Sequence, residues 1–102
     1  MPIAMPIPDG YDEQAVAWLE SLEKRLERRR LEHFHHFGAI LNALEYQVEE
    51  GEGDPIVVRC LGEALLAVAV THAWPGDVIK EITQTIGRLH GRVSELAQAR
   101  GR

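Results

Sequence analysis

The segment Glu32-His33-Phe34-His35-His36 holds the densest set of metal-ligating side chains in this chain of 102 residues. Imidazole and carboxylate together suit zinc, nickel or iron. On a helix Glu32 and His36 share a face, as do His33 and His36. A further candidate lies far along the chain. If the helices flanking the turn near Glu52 run antiparallel, equal rise on both arms makes facing positions sum to about 105, which sets His72 opposite His33. Glu32, His33, His36 and His72 are therefore the candidate metal ligands, and a transition metal is the one cofactor the sequence suggests. The competing reading weighs more at this level: histidines at a helix surface ordinarily cover apolar area and hydrogen-bond to water.

Glu32 and His35 also spell Glu-x-x-His, the fragment used by carboxylate-bridged dimetal bundles, but the remainder of that four-helix ligand set is missing. Glu63 falls opposite Asn42 in the same register, more than two helical turns from Glu32, and is expected to pair with Arg59 one turn earlier. Nucleophilic chemistry finds no support. Ser21 and Ser94 are the only serines, and neither follows a strand. The single cysteine, Cys60, can form no internal disulfide and reads as a buried structural thiol on an apolar helix. Gly51-Glu52-Gly53 lacks the glycine and lysine of a phosphate loop and carries acid where an anion would sit. The expectation is a protein without enzymatic activity.

Lys24, Arg25, Arg28, Arg29 and Arg30 form a basic band. Glu20 precedes Lys24 by four residues and Arg28 precedes Glu32 by four, so much of this charge can pair along a solvated helix face. The rest could meet an acidic protein or nucleic acid phosphates. A formal charge of -5 and the lack of zinc-finger spacing, aromatic motif or helix-turn-helix weigh against nucleic acid. Glu45, Glu49, Glu50, Glu52 and Asp54 crowd the following turn as a solvated acidic knob. Hydrophobic residues at 45% and charged residues at 26% describe one ordinary folded domain. The start of the chain has no signal-peptide pattern and no stretch is apolar enough to cross a membrane, which leaves the cytoplasm as the default location.

The elements that position these groups read as helices. Residues 1–11, rich in proline, form an extended arm, residues 12–98 a single helical domain, and residues 99–102 a frayed tail. Apolar residues recur at Ala15, Trp18, Leu19, Leu22 and Leu26, then at Phe34, Phe37, Ile40, Leu41, Leu44 and Val48, which is helical spacing. Between Leu26 and His33 only Leu31 interrupts a polar gap, so either one helix covers 12–50 or two helices meet near 28–32. Gly51 to Pro55 combines a stop, Asp54 as N-cap and Pro55 at the first helical position, predicting a helix over 55–73. Trp74-Pro75-Gly76-Asp77 repeats stop, turn and cap. The last helix carries Ile79, Ile82, Ile86, Leu89, Val93 and Leu96 in alternating steps of three and four, a coiled-coil-like seam. Thr83, Gly87 and Gly91 make a second stripe, either a place for a neighbouring backbone to come close or tolerated surface glycines.

Assembly follows from two arguments. Ala64 to Val70 is apolar on every side and asks to be covered on every side. An unbroken first helix would span about 58 Å against about 28 Å and 33 Å for the others, so residues 12–30 must fold back or reach another chain. The fold class is therefore all-α, a helical bundle of three to four helices per chain completed by homodimerisation, with Leu61, Leu65, Val68, Ile82, Ile86 and Leu89 at the dimer core. The leading functional expectation is a small homodimeric interaction protein, an adaptor, accessory or regulatory factor, meeting an unidentified protein partner through Trp18, Leu22, Arg28, Arg29 and Arg30. The alternative is a metal-binding bundle using the histidines, and the third reading is a nucleic-acid accessory protein.

Overall fold

The computed structural model describes residues 13–49 and 54–100. They form four helices, α1 (Glu13–Arg28), α2 (Phe34–Glu49), α3 (Pro55–Thr71) and α4 (Gly76–Arg100). Each packs on its neighbour in sequence and α4 closes onto α1, giving an all-α four-helix bundle. None of the described helices is long and apolar enough to cross a membrane. The arm at 1–11 lies outside the described residues, as do Glu50, Glu52 and residues 101–102. Helix α4 continues through Ala99 to Arg100, beyond the point where fraying was expected.

Of the two readings of the first apolar stretch, the broken one holds. Helix α1 ends where the Arg29 and Arg30 amides donate to Leu26 and Glu27 carbonyls at 3.0 and 3.1 Å. Arg30 then turns left-handed with φ 51°. The chain folds back rather than reaching outward, so Leu19, Leu22 and Leu26 are buried against the body of the bundle. The expectation that Leu22 meets a partner is corrected by this: the side chain is 0% exposed. Trp18 is half-buried, while Arg28, Arg29 and Arg30 are exposed.

The fold-back also corrects the expected dimer core. Leu65, Ile82, Ile86 and Leu89 are buried by the chain's own helices, in one cluster with Phe37, Leu41, Leu44, Val58 and Val78. Leu61 and Val68 are half-buried at its margin. Of the two outcomes open to residues 12–30, folding back is the one observed, and α1 packs on α2 and α4 as the fourth wall of the bundle.

Helix boundaries follow local chemistry. Asp54 caps α3 by accepting the Ile56 amide at 2.8 Å, with Pro55 beside it. At the other end the Ala73 amide donates to Val70 O and the Trp74 amide to Ala69 O, at 3.1 and 2.9 Å. This is a Schellman closure with Ala73 in the left-handed position, φ 53°, where glycine is usual. Asp77 does not cap α4 as expected. The helix starts at Gly76, Pro75 O accepts the Val78 and Ile79 amides, and Asp77 turns outward to Arg29.

Gly62 marks a close approach of α3 to α4, since a Cβ there would stand 2.3 Å from Ile86 Cγ2. Gly87 and Gly91 face open space, so among the described residues no backbone uses the glycine stripe of α4.

Candidate metal centre

Two short connections meet at one end of the bundle, residues 29–33 between α1 and α2 and residues 72–75 between α3 and α4. His33 precedes α2 in a left-handed conformation, φ 61°, which non-glycine residues adopt infrequently and histidine more readily than most. Its carbonyl accepts the His36 amide at 3.1 Å, so His36 sits one turn further on in α2. His72 is the C-cap of α3, its amide donating to Val68 O at 3.1 Å. The antiparallel pairing of α2 and α3 then brings His72 against His33, as the register predicts.

One ring nitrogen from each of His33, His36 and His72 lies within 4.8 Å of the other two. The His33 and His72 rings stack with centroids 4.0 Å apart, and His33 and His36 stack at 5.6 Å. His35 stands beside the group, its ring 4.0 Å from that of His36. A tetrahedral zinc with bonds of about 2.0–2.1 Å would hold its ligand atoms about 3.3–3.4 Å apart. The three nitrogens are thus within about 1.5 Å of a chelating separation. His33 and His36 are exposed and His72 is half-buried, which leaves the rings free to close by small rotations.

Electrostatics favour a neutral ring at His36. The pKa of His36 is lowered chiefly by the neighbouring charge of His35, then by burial and by His33 and His72. A neutral imidazole is the form that ligates metal.

Glu32 does not join the three histidines. Its backbone is used instead, the carbonyl accepting the Trp74 indole N–H at 3.0 Å, while the residue itself is exposed. Trp74 was read only as part of a turn. It is 5% exposed and its ring lies 5.3 Å from that of Phe37, locking the two connections together. Its bulk between a helix stop and a proline was the signal that could have placed it in the core. Arg29 adds a second tie, donating to Asp77 Oδ2 at 2.9 Å, which holds the Asp77 carboxyl below its usual pKa.

Elsewhere the basic band pairs between helices rather than along one. Arg25 meets Glu81 of α4 and also donates to Ser21 Oγ at 3.0 Å. Arg59 and Glu63 pair as expected, at 3.4 Å. Glu45 departs from the expected solvated knob. One of its carboxylate oxygens is buried without a partner, and burial, followed by the charges of Glu23, Glu20 and Glu49, pushes its pKa up to about 6. Cys60 is corrected too: the thiol is exposed, because among the described residues α3 has neighbours only on the side of Val58, Gly62, Leu65 and Ala69. No known family model matches the chain, and neither a curated protein nor a solved structure shows significant similarity to it.

Proposed function

We propose that this protein binds a divalent transition metal of the zinc type through His33, His36 and His72. The observation that carries the reading is the convergence of three ligand atoms, within 4.8 Å of one another, from residues almost forty positions apart in sequence. Three imidazoles favour zinc, nickel or copper over magnesium and calcium, which prefer oxygen. Three protein ligands leave one position on a tetrahedral ion for water, for His35 after a small rearrangement, or for a group from a binding partner. A bound ion would tie residue 33 to residue 72 and so reinforce the closure already made by Trp74 and Arg29.

The test is a zinc titration of tag-free, chelator-stripped protein by calorimetry, with elemental analysis of the product. One zinc per chain is expected, with affinity lowered at least tenfold by His72→Ala and a far-ultraviolet spectrum unchanged by that substitution. Failure to take up stoichiometric zinc, nickel or copper, or uptake indifferent to His72→Ala, refutes the site. A second reading, a homodimeric interaction protein, is favoured by the exposure of Ile56 and Val70 on α3, 71% and 63%.

A further inference from the structure

We propose that the outer face of α3 pairs with α3 of a second copy of this chain, antiparallel and in a single register. The pairing rests on the homodimeric reading and is independent of the metal site. Helix α3 carries two seams. The inner one, Val58, Gly62, Leu65 and Ala69, is buried in the bundle. The outer one, Ile56, Cys60, Glu63, Ala67 and Val70, is exposed along its whole length. Its steps of four, three, four and three are those of a helix that interlocks with another. The bundle uses one side of the helix, and the second copy uses the other as far as Ala67.

Charge selects the partner and the register. Arg59 and Glu63 are the only charged residues described on α3, and they stand one turn apart on the bare side. A parallel pair, or an antiparallel pair centred on Glu63, would bring like charges together. An antiparallel pair centred between Leu61 and Gly62 sets Ile56 against the partner's Ala67 and Cys60 against the partner's Glu63. Arg59 then reaches the partner's Glu63, and twofold symmetry makes the contact twice. Ile56 thus meets a small residue, and so does Glu63, while Val70 lies past the end of the partner's α3. A hollow of about 320 Å³ bordered by Pro55, Ile56, Arg59, Cys60, Glu63 and His90 gives the partner's side chains a place to seat. One helix pair is a small interface, so dissociation at micromolar concentration is expected.

Cys60 is the only cysteine in the chain and lies at the middle of the seam, so it reports on the pairing directly. Sedimentation equilibrium of chelator-stripped protein should show a reversible monomer and dimer. Labelling of Cys60 by a small aromatic disulfide reagent should slow at least tenfold as the dimer forms. Ala67→Arg should leave a helical monomer with fast labelling. Arg59→Glu should weaken the dimer at least tenfold, and Arg59→Glu with Glu63→Arg should restore it, because the swap preserves the pair both within and between helices. A monomer up to millimolar concentration with Cys60 always reactive overturns the homodimer and the pairing together. A dimer whose Cys60 stays reactive, or which the charge swap does not restore, overturns this register and leaves the homodimer standing. A monomer with Cys60 protected at every dilution assigns the face to another segment of the same chain and overturns the proposal.

Discussion

Replacing Gly62 by alanine sets two known effects against each other at a point where α3 and α4 come close. In a helix interior alanine is favoured over glycine by about 1 kcal/mol. Here, however, the added Cβ would stand 2.3 Å from Ile86 Cγ2 and 3.5 Å from Ile86 Cβ and Cγ1, whereas carbon atoms pack at about 3.5–4.0 Å. Ile86 cannot swing its Cγ2 aside cheaply, since a β-branched residue in a helix is held in one rotamer about nine times in ten. The helices must therefore part by about an ångström, and overpacking of this kind costs about 1–3 kcal/mol. The net result for Gly62→Ala is a loss of about 1 kcal/mol. Gly87→Ala serves as the reference, because Gly87 is also in a helix interior but faces open space and should gain up to about 1 kcal/mol. Subtracting the two cancels helix propensity and isolates the clash, about 2 kcal/mol. For a chain of this length that difference is about 8–10 °C in Tm. Urea and thermal unfolding followed by circular dichroism, on dilute chelator-treated protein, would measure it. Equal stability of the two variants, within about 0.5 kcal/mol, would refute the close approach and with it the placement of α3 on α4. In an Ile86→Ala background the Gly62→Ala penalty should vanish.

Two further outcomes are expected from the local geometry. Ala73→Gly should stabilise the fold by about 1 kcal/mol, because Ala73 holds the left-handed position of the Schellman closure, where a Cβ costs about 1–2 kcal/mol and glycine's greater freedom in the unfolded chain offsets part of the gain; an unchanged urea midpoint contradicts this. Glu45→Gln should alter the pH dependence of stability. The folded state raises the Glu45 pKa from 4.5 to about 6, so the folded form binds the proton more tightly and stability is lost as pH rises from about 4.5 through about 6. The shift corresponds to at most about 2 kcal/mol, and solvent screening of a partly exposed carboxyl lowers this to about 1 kcal/mol. Glu45→Gln should accordingly be the more stable protein at pH 7.5 and show no advantage at pH 4. Comparing variant with parent at each pH removes the opposite trend from His36, whose lowered pKa makes the fold lose stability as pH falls below about 6.5. A constant difference across that range counts against a strained Glu45.

The parts of the fold that sequence made legible are those set by local chemistry or by counting residues. Asp54 and Pro55 announce the start of α3 through a cap and a ring that fits the first turn, and equal helical rise is enough to bring His33 to His72. The break at 29–33 contains neither glycine nor proline. Arg30 and His33 take left-handed conformations because the apolar face of α1 gains more by folding onto α4 than the strain costs, and that balance is tertiary. The two seams of α3 were equally opaque. Apolar residues on all sides show that the helix is covered or asks for cover, but not which side the bundle takes, so Cys60 was assigned to the wrong one. Glu32 was grouped with the histidines because helical spacing was assumed for residues that lie in a turn.

Trp74 places a chromophore beside the histidine group. It is one of two tryptophans in the chain; its indole N–H is fixed on the carbonyl of Glu32, the residue before His33, and its own backbone begins two positions after His72. Trp18, on α1, is partly open to water and supplies a contrasting emission. Ordering at this end of the molecule can thus be watched in native, unlabelled protein, by following the spectral component from the indole that water does not reach.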